Sequence, residues 1–300
     1  MKILITGGTG FVGTFLSQYL LDRGHHVIAT GMRHRHNLEN GDRFAYVSVD
    51  TTVPGSWQDH VSEVDAIINL AGGNIFRYWT ETAKRRIHES RILTTQNVVM
   101  AMGKKQGPIL LSASAIGYYG DRGDEILEES SPAGDNFLAS VSGDWENEAL
   151  QAEARGARVA LLRFSVILGK DGGALGKMLP AFKCFVGGPM GSGMPWFSWM
   201  HIQDLAVAVE MILLNEDMTG PFNFCSPHPE RNHVFAKSLG NALGRPAFLK
   251  TPAFVLKLIM GEMGDVILGS QRCVPQKLQR HGFEFQYPVL KKALGNLLNE

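Results

Sequence analysis

Two hydrophobic periods alternate along the first two-thirds of the chain. Residues 2–5 form a short, β-branched apolar run with no room for a helical turn before the glycines that follow. From Phe15 the apolar positions recur at helical spacing (Leu16, Tyr19, Leu20, Leu21) and stop at Gly24. The strand signal returns at 27–30, 44–49, 65–70, 108–111 and 158–164, and the helical one at 80–102 and 137–155. Residues 65–70 are mostly apolar, as a strand covered on both faces should be. Strands alternating with helices at this spacing predict a parallel, doubly wound sheet.

Beyond Gly169 the texture changes. Gly172-Gly173, Gly187-Gly188-Pro189 and Gly191-Ser192-Gly193 punctuate a region without clean alternation. Residues 201–214 predict a helix returning to the main domain, and 221–224 an added strand. Short helices are expected at 234–243, 252–260, 275–281 and 288–298. The predicted fold is α/β: a Rossmann-type doubly wound parallel sheet with a smaller, α-rich C-terminal substrate lobe. Residues 1–168, continued by about 200–224, would form the nucleotide-binding domain. Residues 169–199 and 225–300 would form the substrate-side lobe.

Candidate chemistry starts at Gly7-x-x-Gly10-x-x-Gly13, between the first predicted strand and helix. Gly7 permits the tight turn, Gly10 lets the backbone approach phosphates, and Gly13 lets the helix pack close to the strand. Together they aim backbone N–H groups and a helix N-terminus at a dinucleotide pyrophosphate. The second strand leads into Thr30-Gly31-Met32-Arg33-His34-Arg35-His36, with no acid before Glu39 to accept from ribose hydroxyls. A guanidinium there suits a 2′-phosphate by charge and by bidentate hydrogen bonding. NADP(H) is therefore the expected cofactor, with Arg33 the lead contact and Arg35 the second; the alternative is a solvated basic loop. Asp50 either accepts from the adenine amino group or caps the following turn. Ala71-Gly72-Gly73 offers small residues where a cofactor ribose can lie close to the backbone, and the fifth strand ends in Ser112-Ala113-Ser114. All of these fall at carboxyl ends of strands, where such a sheet binds its ligand.

Composition narrows the partners. With 44% hydrophobic residues over 300 positions the chain can bury a substantial core. Its formal net charge of zero gives no sign of nucleic acid or an anionic membrane as partner, a local basic patch being left open. Cys184, Cys225 and Cys273 are isolated, which suggests neither a disulfide framework nor a metal site and fits reduced thiols in the cytoplasm. Residues 1–10 read as a strand and its turn rather than a leader, and the longest apolar runs fall short of a membrane span. A small-molecule substrate is expected, bound by a monomer or a homodimer. The charges of 80–102, Arg91 among them, read as a solvated face. Trp196, Phe197, Trp199 and Met200 read as lobe packing, with base or sugar stacking as the alternative. His201 reads as a helix start joining the lobes, and Arg231-Asn232 as a phosphate contact or a cap.

By Ser114 the chain resembles the extended (atypical) short-chain dehydrogenase/reductases. The residues that carry this are Thr6-Gly7-Gly8-Thr9-Gly10-Phe11-Val12-Gly13, Asp50, Asn69-Leu70-Ala71-Gly72 and Ser112-Ala113-Ser114. It is more similar still to the YfcH-like subgroup of sugar-nucleotide epimerases, through Ala115-Ile116-Gly117-Tyr118-Tyr119-Gly120, Asp144-Trp145-Glu146, Leu162-Arg163, Trp199-Met200-His201 and Gly220-Pro221-Phe222-Asn223. The resemblance spans essentially the whole chain and implies a small C-terminal domain at about 248–297. It implies cofactor contacts from Gly7, Thr9, Gly10, Phe11, Val12, Gly13, Asp50, Leu70, Ala71, Gly72, Ser112 and Arg163, and a nucleotide-sugar as the substrate class. In the wider family a helical Tyr-x-x-x-Lys supplies acid/base chemistry while a serine on the preceding strand orients the substrate oxygen. Here the tyrosine and lysine positions fall on Leu138 and Ser142. Two readings follow. In one the chain is an NADP-dependent oxidoreductase or epimerase using Ser114 with Tyr118 or Tyr119 as proton donor, and Asp121, Arg122, Lys177 and His201 as further polar groups of the crevice. In the other the tyrosines are packing residues, and the chain binds NADP(H) as a regulator or sensor without turnover.

Overall fold

The computed structural model describes residues 1–34, 38, 41–103, 108–170 and 172–298. A seven-stranded parallel sheet is its centre. Strands β1 (Lys2–Thr6), β2 (His26–Gly31), β3 (Phe44–Ser48), β4 (Ala66–Asn69), β5 (Ile109–Ala115), β6 (Val159–Phe164) and β7 (Gly220–Phe224) lie in the order 3-2-1-4-5-6-7. The order reverses at β1, so the crevice between the ends of β1 and β4 is the topological switch point of an open α/β sheet.

Alternate residues of each inner strand bury opposite faces, which is why these strands read as near-continuous apolar runs. Ile3, Ile5, Val27, Ala29, Leu111 and Leu162 pack with Leu16 and Leu20 of α1 (Phe11–Asp22) and with Leu205, Val209 and Ile212. Leu4, Ile28, Ile67, Leu110 and Leu161 face the other way, onto Val98 and Val99 of α2 (Glu81–Ala101) and Ala149 of α3 (Phe137–Leu150). Thr80 caps α2 by accepting from the Ala83 N–H at 3.2 Å. The helix expected over 137–155 ends instead at Leu150. The chain turns there through a short 3-10 piece, Glu153–Arg155, that closes on Gly156 at φ 79°.

Two helices lie where the sequence pattern gave none. Helix α4 (Gly173–Lys183) forms despite Gly176 and Pro180 because Leu175 and Phe182 bury against other elements, so packing overrides propensity. The remaining helices are α5 (Ile202–Leu214), α6 (Asn232–Leu243), α7 (Ala253–Met260), α8 (Glu262–Leu268), α9 (Gln276–Arg280) and α10 (Leu290–Leu298). Of these α8 is the second unanticipated helix. Leu175 and Phe182 share a cluster with Phe235 and Leu239 of α6 and Leu290, Leu294 and Leu297 of α10. Among the described residues no helix is long and apolar enough to cross a membrane.

His201 joins this cluster to the sheet. Its Nδ1 accepts from the Gln203 N–H at 3.0 Å, capping α5, which leaves the other ring nitrogen as the donor to Asn296 Oδ1 at 3.0 Å. The ring stacks on Tyr287 at 3.9 Å. One turn on, Asp204 accepts from the Gln286 and Tyr287 N–H groups at 2.8 and 3.0 Å. Burial lowers the His201 pKa from 6.5 to about 4. The unfolded chain thus takes up this proton as pH falls below 6.5, while the folded one stays neutral until about 4. His201 therefore favours folding fully above pH 6.5 and loses that contribution, about 3 kcal/mol, as pH falls toward 4. Comparing wild type with His201→Asn, which keeps a capping side chain, removes the opposing effect of Asp204. The stability gap measured by urea unfolding should shrink by about 3 kcal/mol between pH 7 and pH 4; a constant gap would reject the buried neutral imidazole.

Candidate cofactor and active site

The loop from β1 to α1 is built around backbone contact. Gly7 sits at φ 68°, and a Cβ there would lie 3.0 Å from the Ala71 backbone. A Cβ on Gly13 would lie 2.4 Å from the Gly7 carbonyl and 2.7 Å from Gly8 Cα, so only glycine lets the helix seat against the loop. The Gly10 N–H closes the turn on Gly7 O at 2.9 Å. Gly10 caps α1 without a side-chain acceptor and the first turn carries no acid, so its N–H groups, those of Phe11 and Val12 included, remain for an anion. Thr9 lies against Gly31, where a Cβ would come within 2.4 Å of Thr9 Oγ1, so the loop is held to the end of β2. This cradle fits a dinucleotide pyrophosphate.

The walls fit the same ligand. Arg33 is exposed just past β2, and the Tyr46 hydroxyl holds the backbone there through the Arg33 and Gly31 carbonyls, the latter at 2.9 Å. Arg35 lies outside the described residues. Asp50 Oδ1 accepts from the Thr52 N–H and hydroxyl at 3.0 and 2.7 Å, so this carboxylate caps the turn that follows. At the end of β4 the Leu70 and Ala71 N–H groups bond to Thr6, through its carbonyl at 3.1 Å and its Oγ1 at 3.3 Å. Thr6 donates to Asn69 at 2.6 Å, and Asn69 donates in turn to Thr95 and Ser112 at 2.8 and 3.3 Å. Ser112 is thus committed to fixing the strand ends rather than facing the crevice.

Arg91 departs from the solvated face expected of its helix. Its guanidinium donates to Ile87 O at 2.8 Å and Gly73 O at 3.2 Å, lies 5.3 Å over the Trp145 ring, and would sit 3.1 Å from a Cβ on Gly72. Burial pulls its pKa down to about 10. It forms no ion pair among the described residues, so it leaves a positive charge directly behind the Ala71–Gly73 backbone.

Behind the end of β5 lies a buried polar chain. Ser114 donates to Glu146 Oε1 at 2.6 Å, and Arg163 grips the same carboxylate with two bonds of 2.8 Å. Arg163 also donates to the Tyr119 hydroxyl at 2.9 Å and to Glu129 O at 3.1 Å. The Tyr119 hydroxyl donates to Asn223 Oδ1 at 2.7 Å, and the Asn223 N–H donates to Glu129 Oε1 at 3.0 Å. Two expectations change here. Tyr119 is fully buried with its hydroxyl engaged on both sides, and burial pushes its pKa up, so it is not placed to exchange a proton with substrate. Arg163 is 4% exposed and spent on Glu146, Tyr119 and Glu129, so it braces the site from beneath instead of touching a cofactor. Tyr118 differs from its neighbour. It is half-buried, its ring lies 3.7 Å from the Arg163 guanidinium carbon, and its hydroxyl finds no hydrogen-bond partner among the described residues.

A profile of the NAD dependent epimerase/dehydratase family matches residues 3–225. The chain belongs to the NAD dependent epimerase/dehydratase family. A second profile, a domain of unknown function (DUF1731), matches residues 251–297. The chloroplastic epimerase family protein SDR39U1 homolog of Arabidopsis thaliana is 38% identical over 299 residues, 98% of this chain and 86% of that protein. Epimerase family protein SH2119 of Staphylococcus haemolyticus is 37% identical, with 99% of both chains covered. The crystal structure of human epimerase family protein SDR39U1 (isoform 2) with NADPH matches with a TM-score of 0.87 at 32% identity, covering 100% of both chains.

In this epimerase-family chain the helix that resemblance assigns to acid/base work carries none at the expected positions. Leu138 packs with Trp79, Ile87, Val141 and Met263, and Ser142 is 4% exposed. Glu146, one turn further along α3, carries the polar contacts instead, a role that its place in the Asp144-Trp145-Glu146 motif does not announce. The other polar candidates are mostly engaged in structure. Asp121 accepts from the Gly123 and Ser270 N–H groups, Arg122 pairs with Glu125, and Lys177 lies 4.2 Å over the Phe76 ring. Trp199 and Met200 are fully buried, while Trp196 lies between Arg231 and Arg272 and donates to Asp124 at 2.9 Å. Asn232 accepts from the Met190 N–H at 2.7 Å, a structural bond. Among the described residues no cluster of three His, Cys, Asp or Glu side chains suits a metal ion.

Proposed function

We propose that this chain is an NADP(H)-dependent oxidoreductase or epimerase acting on a hydroxyl or carbonyl of a small polar substrate, a nucleotide-sugar being the class favoured by its family. The observation that carries the reading is Tyr118, an unengaged hydroxyl in the turn that follows β5, its ring resting on the Arg163 guanidinium, at the carboxyl end of the sheet where a substrate of this fold meets its cofactor. The residues 7–13 cradle would hold the pyrophosphate, the Ala71–Gly73 backbone the nicotinamide ribose, and Arg33 the 2′-phosphate. The nicotinamide, when bound, supplies the hydride chemistry. Tyr118 exchanges the proton with the substrate oxygen. Ser114 is buried and donates to Glu146 at 2.6 Å, so it anchors the end of β5 from beneath, and Tyr118 is the polar group left to meet the substrate oxygen. A cytoplasmic setting agrees with three free cysteines.

Two measurements test this. Arg33→Ala should weaken NADP(H) binding by on the order of 10- to 100-fold, the worth of charge-assisted phosphate bonds, and leave NAD(H) nearly unchanged. Equal loss for both dinucleotides in calorimetric titration would remove the 2′-phosphate assignment. Tyr118→Phe should reduce turnover of NADPH against a panel of sugar nucleotides and small carbonyl compounds by about 10²–10⁴-fold while keeping cofactor affinity. Unchanged turnover would exclude Tyr118 as the proton donor. The apolar packing of Leu138 favours a second reading, an NADP(H)-binding regulator without turnover. Tight binding with no oxidation across that panel would move the assignment to it.

A further inference from the structure

The zero net charge of the chain conceals a pronounced local asymmetry. Residues 231–261 contain five Lys or Arg and no acid, and residues 172–203 contain two and no acid. The fold brings the two stretches together. The Met190 and Thr251 backbones form a β-bridge, the turn at Gly188 presses on the Leu249 backbone, and the Arg245 guanidinium lies 4.6 Å over the Phe185 ring.

The surface so formed is apolar as well as basic. Helix α7 buries none of its eight residues, and Phe254, Leu258 and Ile259 on it are 70, 78 and 68% exposed. Phe248, Leu249 and Phe185 extend the exposed patch along the adjoining loops. Arg245 and Lys250 stand among these side chains. Glu262 and Asp265 on α8 are already paired with Lys84 at 2.8 Å and Lys257 at 2.6 Å, and Asp124 with Arg231 at 2.8 Å, which leaves Arg245 and Lys250 with no ion pair among the described residues. Contiguous projecting apolar side chains of this kind mark an interaction face.

We infer that this face docks the protein on an anionic lipid surface. A lipid interface offers an apolar layer for the aromatic and aliphatic side chains and negative headgroups at the level of Arg245 and Lys250, which is the chemistry an interfacial apolar-basic segment matches. Eight helical residues reach only about 12 Å, so α7 lies on the bilayer and does not cross it. A second copy is a poorer occupant, because two-fold pairing sets the same acid-free surface against itself. An acidic protein would answer the lysines and arginines but gives no reason for so many unsheltered apolar side chains. Gly261, at the end of α7, abuts Tyr78, and Met260 packs in the same cluster as Trp79 and Leu138.

The test is flotation of the purified full chain with vesicles of phosphatidylcholine alone and of phosphatidylcholine mixed with phosphatidylglycerol, at low and raised salt. Wild type should float with the mixed vesicles and stay behind with the neutral ones, and salt should weaken the association. Phe254→Ser with Leu258→Ser should weaken partition at least about ten-fold. Lys250→Glu should weaken it by about five-fold or more. Both variants should keep wild-type NADP(H) affinity and melting temperature, since the altered side chains project into solvent. Three results would overturn the inference: no flotation of wild type with either vesicle, full flotation of the serine variant (a site for polyanions alone), or a wild-type dimer that the serine substitutions dissociate. None of these outcomes bears on the cofactor assignment, which calorimetry reads separately.

Discussion

Gly13→Ala should cost about 3 kcal/mol of stability and abolish measurable NADP(H) binding. The added methyl meets the Gly7 carbonyl at 2.4 Å and Gly8 Cα at 2.7 Å, both backbone atoms that no rotamer change can move aside. Relief requires the first turn of α1 to lift off the loop, which disturbs the N–H groups aimed at the pyrophosphate. Overpacking of this kind usually costs about 1–3 kcal/mol, and a backbone obstacle belongs at the upper end. In a chain of this size that lowers the melting temperature by roughly 5 °C. Gly10→Ala is the discriminating companion. Its methyl would lie 3.1 Å from Gly7 O, a contact that a small shift accommodates. It should melt within a few degrees of wild type and lose affinity only because the phosphates are kept away. A Gly13→Ala protein that melts and binds like wild type would refute the seating of α1 on the loop.

Arg163→Met should cost about 3–5 kcal/mol, the usual penalty for leaving one member of a buried ion pair alone. Glu146 would remain 6% exposed with only Ser114 to satisfy it, while Tyr119 and the Glu129 carbonyl would each lose a donor. Removing both charges together, as Arg163→Met with Glu146→Leu, should recover much of that loss, because the uncompensated carboxylate is gone. Urea unfolding of wild type, both single variants and the double variant closes the cycle. Additive single effects would show that the bidentate contact is incidental. Tyr118 should also change in the Arg163 variant, since its ring rests on that guanidinium. Activity should therefore fall further than stability alone explains.

Much of this architecture is legible in the residues. The five inner strands bury both faces, and that requirement writes unbroken apolar runs into the sequence. The glycine cradle is readable because each glycine answers a distinct steric demand. Other features need the folded chain. Tyr118 and Tyr119 are adjacent and identical in type, and only the short turn over Ile116–Tyr119 decides which ring goes inward. Glu146 and Arg163 are 17 positions apart in different elements, and nothing local marks them as partners. Helix α4 is obscured by its own glycines and proline, since its stability comes from contacts with distant residues. Arg91 is an intermediate case. It lies at helical spacing between buried Ile87 and buried Thr94, Thr95 and Val98, a face that a closer reading of α2 assigns to the interior.

The contact between Glu129 and the Asn223 N–H has a consequence for the sheet as a whole. Strand β7 is an outer edge, the position at which an exposed ladder recruits foreign strands and seeds aggregation. Pro221 has no N–H to offer, and the N–H two residues along is already given to a buried carboxylate oxygen. The same oxygen takes the Lys277 N–H at 3.2 Å, so α9 is fastened across this border. Phe222 is thereby flanked on both sides by residues with no donor to share. The sheet stops at seven strands because its last member is closed to an eighth.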